Sequence, residues 1–125
     1  PISRAVRVTL QFQIDDRERK IGTLTVRIQG MRMDPLDAKK ATISIIGKLY
    51  FNGHRTAKQA RSGVRIETTT PGAEAPLDQR VVFRGQNLND LHLHTLSLSI
   101  WEQSGLTSKR LLGQTLMNEP DHRKS

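Results

Sequence analysis

Apolar and polar residues alternate along much of this chain with a period of two. Side chains of a β-strand point to opposite faces in turn, so this period predicts strands with one buried and one solvated face. In the segment 95–101, the apolar residues Leu96, Leu98 and Ile100 should be buried and the hydroxyls between them should face solvent. The same pattern predicts half-buried strands at 6–14, 22–29, 43–50, 81–83, 95–101 and 111–117.

Turn-forming residues separate these segments. Asn52 and Gly53 are the strongest signal, because both tolerate positive φ, and they predict a hairpin that returns through a less regular strand within 54–66. Charged or polar runs with turn formers predict further connections, one with a helical turn at 86–93 and the others at 15–20, 33–40, 67–78 and 103–109.

Many short strands with turns between them predict an all-β fold, an antiparallel β-sandwich. The 125 residues suit a single domain, 1–125, with its core at about 4–117 and a polar tail at 118–125. The chain begins Pro-Ile-Ser rather than with Met, so we expect it to be one domain of a longer protein.

The composition and net charge of the chain restrict the partners and locations that we expect for it. The net charge of +8 and the isoelectric point of about 10.6 favour anionic partners such as phosphates, lipid headgroups or acidic proteins. Aromatic residues make up only 4%, which leaves few platforms for base stacking and makes nucleic acid an unlikely partner. There is no cysteine, which fits a reducing, cytoplasmic location, and no apolar run that predicts a transmembrane segment.

Two segments carry a resemblance to a known family. They are VRVTLQFQIDDRERKIGTLTVRIQG at the front and FRGQNLNDLHLHTLSLSIWEQSGLTSKRLLG at the back. Both resemble the synaptotagmin-type C2 domain, which implies an eight-stranded Greek-key sandwich. The tryptophan-bearing last strand of that family has no match in 118–125, so this strand is either missing or supplied from elsewhere. The tryptophan that is present, Trp101, is expected to pack against the sandwich edge.

The resemblance also implies that the calcium loops of the family are degenerate here. Asp37 matches one family aspartate, Asp34 lies near it, and Glu102 matches an acidic position of the later loop. Ser104 and Arg110 stand where two further acidic residues are expected. Calcium needs six to eight oxygen ligands of sufficient negative charge. We therefore predict a calcium-independent domain with no metal site and no cofactor.

A second candidate site is basic. Six residues cluster around the predicted hairpin at 52–53, namely Lys48, His54, Arg55, Lys58, Arg61 and Arg65. If Arg55 starts the return strand, then Arg55, Arg61 and Arg65 share parity and face the same side. In related C2 domains the corresponding strands bind phosphoinositides or acidic proteins. The other interpretation is a solvated edge whose charges prevent aggregation.

We find no nucleophile–base pair, phosphate loop or pair of carboxylates in the sequence, and we therefore do not predict an enzyme. The leading hypothesis is a calcium-independent binding module of a trafficking or signalling protein. It would bind anionic phospholipid or an acidic protein through the basic hairpin, which would place it peripherally on a membrane. The alternative is a degenerate C2 scaffold that binds other proteins and no lipid.

Overall fold

Seven strands and one short helix make up the described part of the chain. The computed structural model describes residues 6–32, 40–67, 74–104 and 108–117. A 3₁₀ helix, η1, covers Leu88–Leu93. The strands are β1 (Val6–Asp16), β2 (Ile21–Arg32), β3 (Lys40–Phe51), β4 (Ala57–Glu67), β5 (Glu74–Asn87), β6 (His94–Ser104) and β7 (Ser108–Met117).

These strands form two antiparallel sheets, which confirms the predicted all-β sandwich. One sheet has three strands in the order β1-β2-β5, and the other has four in the order β4-β3-β6-β7. The chain changes sheet three times, between β2 and β3, between β4 and β5, and between β5 and β6. Within the described residues, no helix is long and apolar enough to cross a bilayer.

The core lies between the sheets and is largely aliphatic. As the alternation predicts, Leu24, Val26 and Ile28 of β2 and Ile43 and Ile45 of β3 are almost fully buried. Burying such a side chain stabilises the fold by about 1.5–3 kcal/mol. The remaining buried apolar residues are Met31, Leu49, Leu77, Val81, Phe83, Leu96, Leu98, Ile100 and Leu112.

The predicted turn at Asn52 and Gly53 is confirmed. Both residues have positive φ, 39° and 78°, and the backbone N–H of His54 donates to the carbonyl of Phe51 at 2.8 Å. The connection is longer than a two-residue hairpin, since β4 begins only at Ala57. The helical turn expected at 86–93 is η1, where the Asn87 side chain accepts a hydrogen bond from the N–H of Asn89 at 2.8 Å.

Two boundary predictions are wrong. β5 begins at Glu74, within the expected loop 67–78, and Leu77 is a core residue that is only 2% exposed. β7 begins at Ser108 instead of Leu111, because the ladder with β6 continues to the pair Ser104 and Ser108. Neither start, Glu-Ala-Pro-Leu in β5 or Ser-Lys-Arg in β7, shows apolar alternation, so backbone pairing rather than a hydrophobic pattern extends the strands.

Two burial predictions are also wrong. Ser97 was expected to face solvent but is 8% exposed, because β6 is an inner strand and the longer residues Lys48 and Leu116 flank Ser97 on the two neighbouring strands. Conversely, Leu10 and Ile14 of β1 are 51% and 43% exposed. β1 is an edge strand, and part of its apolar face is not covered by the described residues.

Candidate anion-binding surface

The outer face of the four-stranded sheet is built by the register of β3. Ile43, Ile45 and Leu49 point into the core, so the residues between them point outwards. Residues directly opposite in an antiparallel ladder project to the same side. The face therefore also contains the residues of β4 and β6 that lie opposite the outward positions of β3.

Three predicted basic residues share this face. Across the β3–β4 ladder Arg61 lies opposite Ile46 and Arg65 lies opposite Thr42, while Lys48 is itself an outward residue of β3. Among the described residues, none of the three forms an ion pair with a carboxylate. Their positive charge is therefore available to a ligand.

The other predicted basic residues lie elsewhere. Lys58 is opposite the buried Leu49, so it belongs to the inner side of the exposed strand β4. Arg55 does not start the return strand, since His54 and Arg55 lie in the connection before β4. The expectation that Arg55 shares a strand face with Arg61 and Arg65 is thus wrong. The ring of His54 contacts that of Phe51 edge to face, with centroids 5.5 Å apart.

A fourth cation, Lys109, joins the face and was not predicted. It lies opposite Gln103 in the β6–β7 ladder, and Gln103 lies opposite Thr42 in the β3–β6 ladder. The sequence interpretation placed Lys109 in a loop, where strand parity has no meaning. We call Lys48, Arg61, Arg65 and Lys109 the basic face.

Trp101 lies in the middle of this face. It is opposite Ser44 on one side and Leu111 on the other, on an inner strand, so the expected packing against the sandwich edge is wrong. Together with Arg61 and Lys109 it lines a surface cavity of about 300 Å³. The indole Nε1 is buried and has no hydrogen-bond acceptor among the described residues. The cavity thus combines two cations and an aromatic side chain.

Glu102 of β6 and Arg110 of β7 form an ion pair in which the carboxylate is buried. Glu102 and Arg110 are directly opposite in the β6–β7 ladder, and the Glu102 side chain is 2% exposed. Arg110 donates to Glu102 Oε1 from Nε at 3.1 Å and from Nη2 at 2.5 Å. The second oxygen, Oε2, is buried without a hydrogen-bond partner in the described chain. The guanidinium therefore supplies the positive charge next to this carboxylate.

The remaining loop predictions are not tested by the structure. Asp34 and Asp37 lie outside the described residues. Ser104 is the last residue of β6.

Comparisons with known proteins agree with this architecture. No family model matches the chain, and no curated protein matches it. Among solved structures, the C2 domain designated A of RIM from Drosophila aligns with a TM-score of 0.56 at 19% identity, covering 94% of this chain and 87% of that one. The corresponding domain of RIM2 aligns with a TM-score of 0.53 at 15% identity, covering 92% and 83%. Two antiparallel sheets in this strand order and these structural neighbours show that the chain has the fold of a C2 domain.

Proposed function

We propose that this domain is a calcium-independent binding module that docks on anionic phospholipid through its basic face. The observation that carries the proposal is the convergence of Lys48, Arg61, Arg65 and Lys109 on one side of a single sheet, without ion-pair partners among the described residues. Each lysine or arginine close to an anionic membrane contributes about 1 kcal/mol, so four cations suffice for useful affinity.

The apolar residues of the same face favour a membrane over a purely polar ligand. Trp101 is flanked by Ile46 and by Leu111, and Leu111 and Leu116 of β7 are 41% and 49% exposed. Tryptophan is suited to the membrane interface because it joins a large apolar ring to one hydrogen-bond donor. On such a surface the cations can contact the lipid headgroups while the exposed apolar side chains contact the acyl chains.

Calcium independence is supported by the Glu102–Arg110 pair. Oε1 of Glu102 already accepts two hydrogen bonds from the Arg110 guanidinium and is therefore not free to coordinate a divalent cation. The positive charge of Arg110 also repels such an ion. The proposal includes a cytoplasmic location at the periphery of a membrane. It also includes a place for this domain in a larger trafficking or signalling protein.

Vesicle sedimentation tests the proposal. We expect the domain to sediment with vesicles of phosphatidylserine and phosphatidylcholine, equally in millimolar calcium and in chelator, and not with phosphatidylcholine alone. Binding that requires calcium would contradict calcium independence. Absence of binding to both vesicle types would remove the lipid function and leave an acidic protein as the ligand of the basic face.

A further inference from the structure

The outer face of the three-stranded sheet, on the opposite side of the sandwich from the basic face, carries two arginines side by side. Val26 and Ile28 of β2 point into the core, so Arg27 between them points outwards. Arg80 of β5 lies directly opposite Arg27 in the β2–β5 ladder, and both side chains are exposed. We call these two residues the arginine pair. Like charges directly opposite each other destabilise a sheet, so this arrangement calls for an anion that compensates it.

Asp78 compensates one of the two charges. Its Oδ1 accepts a hydrogen bond from Arg27 Nη2 at 3.3 Å, and the side chains of Arg27 and Asp78 are 58% and 76% exposed. An exposed ion pair of this kind contributes little to stability, so an external anion can replace the carboxylate at small cost. In the described part of the chain Arg80 forms no ion pair. The arginine pair thus retains one positive charge for a ligand.

A bulge in β5 places Asp78 beside the arginine pair. The register of the β2–β5 ladder shifts here, so Leu77 and Asp78 together lie opposite a single residue, Gln29. Asp78 has a φ of 43°, in the left-handed region that few residues other than glycine, asparagine and aspartate adopt. Leu77 is thereby buried in the core while Asp78 is exposed. Backbone conformations of this kind concentrate at binding sites, which directs attention to the surface around Asp78.

The arginine pair borders a polar cavity of about 400 Å³ where β5 meets β4. The residues that line it are Arg27, Ser62, Asp78, Gln79 and Arg80. The Ser62 hydroxyl donates to Gln79 Oε1 at 2.5 Å, and Gln79 Nε2 donates to the carbonyl of Leu77 at 3.2 Å. Ser62 and Gln79 are therefore engaged with each other and with the backbone. The donors that remain for a ligand of this cavity belong to the two guanidinium groups.

Two adjacent guanidinium groups match a phosphate monoester better than a carboxylate. A guanidinium is always charged and presents its N–H groups as a planar fork. A phosphate monoester has a charge of about −1.5 to −2 at neutral pH and three terminal oxygens, so it can accept hydrogen bonds from both arginines. The carboxylate of Asp78, by contrast, accepts a hydrogen bond from Arg27 and none from Arg80.

The neighbouring residues favour a polypeptide over a membrane as the carrier of the phosphate. The row through the arginine pair begins with Thr9 on β1, and the next row consists of Gln11, Thr25 and Val82. None of the exposed large apolar residues of the described chain lies in these two rows. Hydroxyl and amide side chains both donate and accept hydrogen bonds, as the backbone of an extended segment requires. We propose that the arginine pair binds the phosphate group of a phosphorylated serine or threonine in a partner polypeptide.

A phosphopeptide with no other charged side chain tests the site. The probe is the labelled peptide GTQpSQTG, in which pS is phosphoserine, at physiological ionic strength. We expect fluorescence anisotropy to show saturable binding, and the unphosphorylated peptide GTQSQTG to show none. In heteronuclear NMR spectra of the unaltered domain, the unlabelled phosphopeptide should shift the amide signals next to Arg27 and Asp78. It should not shift those of β7, which contributes Lys109 to the basic face.

Three variants assign the binding to the arginine pair. Arg80→Gln should weaken peptide binding about tenfold or more, because hydrogen bonds between charged groups are lost. Arg84→Gln is the matched control, since Arg84 is exposed on the same strand, does not line the cavity and changes the net charge equally. Asp78→Asn should tighten binding about two- to fivefold, because asparagine keeps the positive φ and removes the competing carboxylate.

Several results would overturn the proposal. These are no saturable binding of GTQpSQTG, equal binding of the unphosphorylated peptide, equal losses from Arg80→Gln and Arg84→Gln, or no gain from Asp78→Asn. NMR shifts confined to the basic face would equally overturn it. If Arg80→Gln lowered vesicle sedimentation more than Arg84→Gln does, the arginine pair would be a lipid contact and not a phosphopeptide site. Failure of all vesicle binding would remove only the proposed lipid function, because the basic face lies on the other sheet.

Discussion

At the scale of single residues, the Glu102–Arg110 pair is the feature whose removal should cost the most stability. The carboxylate is almost completely buried, and the two hydrogen bonds from Arg110 reach only one of its oxygens. A buried charge is tolerated when it is paired and becomes costly when its partner is removed. Once Glu102 is present, Arg110 is needed to pair with its buried charge. The ion pair need not make the fold more stable than two apolar side chains at the same positions would.

A double-mutant cycle tests this dependence. Arg110→Met should lower the free energy of unfolding by about 1–3 kcal/mol, because it leaves a buried acceptor unsatisfied. Adding Glu102→Gln should restore part of this loss, since the remaining group is then neutral. Urea unfolding of the wild type, both single variants and the double variant gives the coupling. Additive losses would show that the two side chains do not depend on each other.

A second prediction at this scale separates the two faces of β4. Arg61→Glu should weaken binding to phosphatidylserine vesicles by about 2 kcal/mol, since it removes one cation and adds one anion near the surface. Lys58→Glu makes the same change in net charge on the opposite side of the same strand. It should have the smaller effect in a sedimentation assay at low salt. Equal losses from both variants would mean that net charge, and not the basic face, governs binding.

At the scale of elements, the two sheets approach closely at Gly47 of β3. A Cβ placed there would lie 3.1 Å from Phe83 Cζ and 3.1 Å from Val81 Cγ2, both on the opposite sheet. Glycine is therefore required at this position by packing between the layers, and not by a turn.

Substitution of glycines in adjacent strands tests this packing. Gly47→Ala should destabilise the domain by about 1–3 kcal/mol through overpacking. Gly63→Ala on β4 is the matched control, because its added Cβ meets only the Ile43 carbonyl oxygen at 3.5 Å. It should be neutral or slightly stabilising, since alanine loses less backbone entropy on folding. Thermal unfolding compares them, and equal losses would show that packing at Gly47 is not limiting.

Element boundaries were predicted well where the apolar alternation is strong and poorly where it is weak. Burial alternates without interruption along 24–28 of β2 and 43–49 of β3, and the apolar residues predicted to face inwards there are the buried ones. The first residues of β5, Glu74 to Leu77, contain proline and one large apolar side chain, and were predicted to be a loop. They form a strand because their backbone pairs with that of β2. A pairing partner that is distant along the chain leaves no signal in the local residue pattern.

At the scale of the whole molecule, the net charge of +8 should make the proposed membrane binding sensitive to salt. The Debye length falls from about 10 Å at 0.1 M salt to about 3 Å at 1 M, so attraction between exposed charges is progressively screened. We expect vesicle affinity to fall steeply over a few hundred millimolar sodium chloride. Affinity that persists would indicate a predominantly apolar interface.

The sequence alone determined the fold class, the two-layer arrangement and the principal core residues. It could do so because apolar residues at every second position of a strand are the ones that become buried. Through a family resemblance it also predicted that Ser104 and Arg110 replace acidic residues, and this stays a prediction. Only the tertiary structure decided which cations share a face, since parity cannot be assigned until each strand has a defined start. For that reason Lys58 and Arg55 were predicted to lie with the other cations but do not belong to the basic face, whereas Lys109 belongs to it and was not predicted.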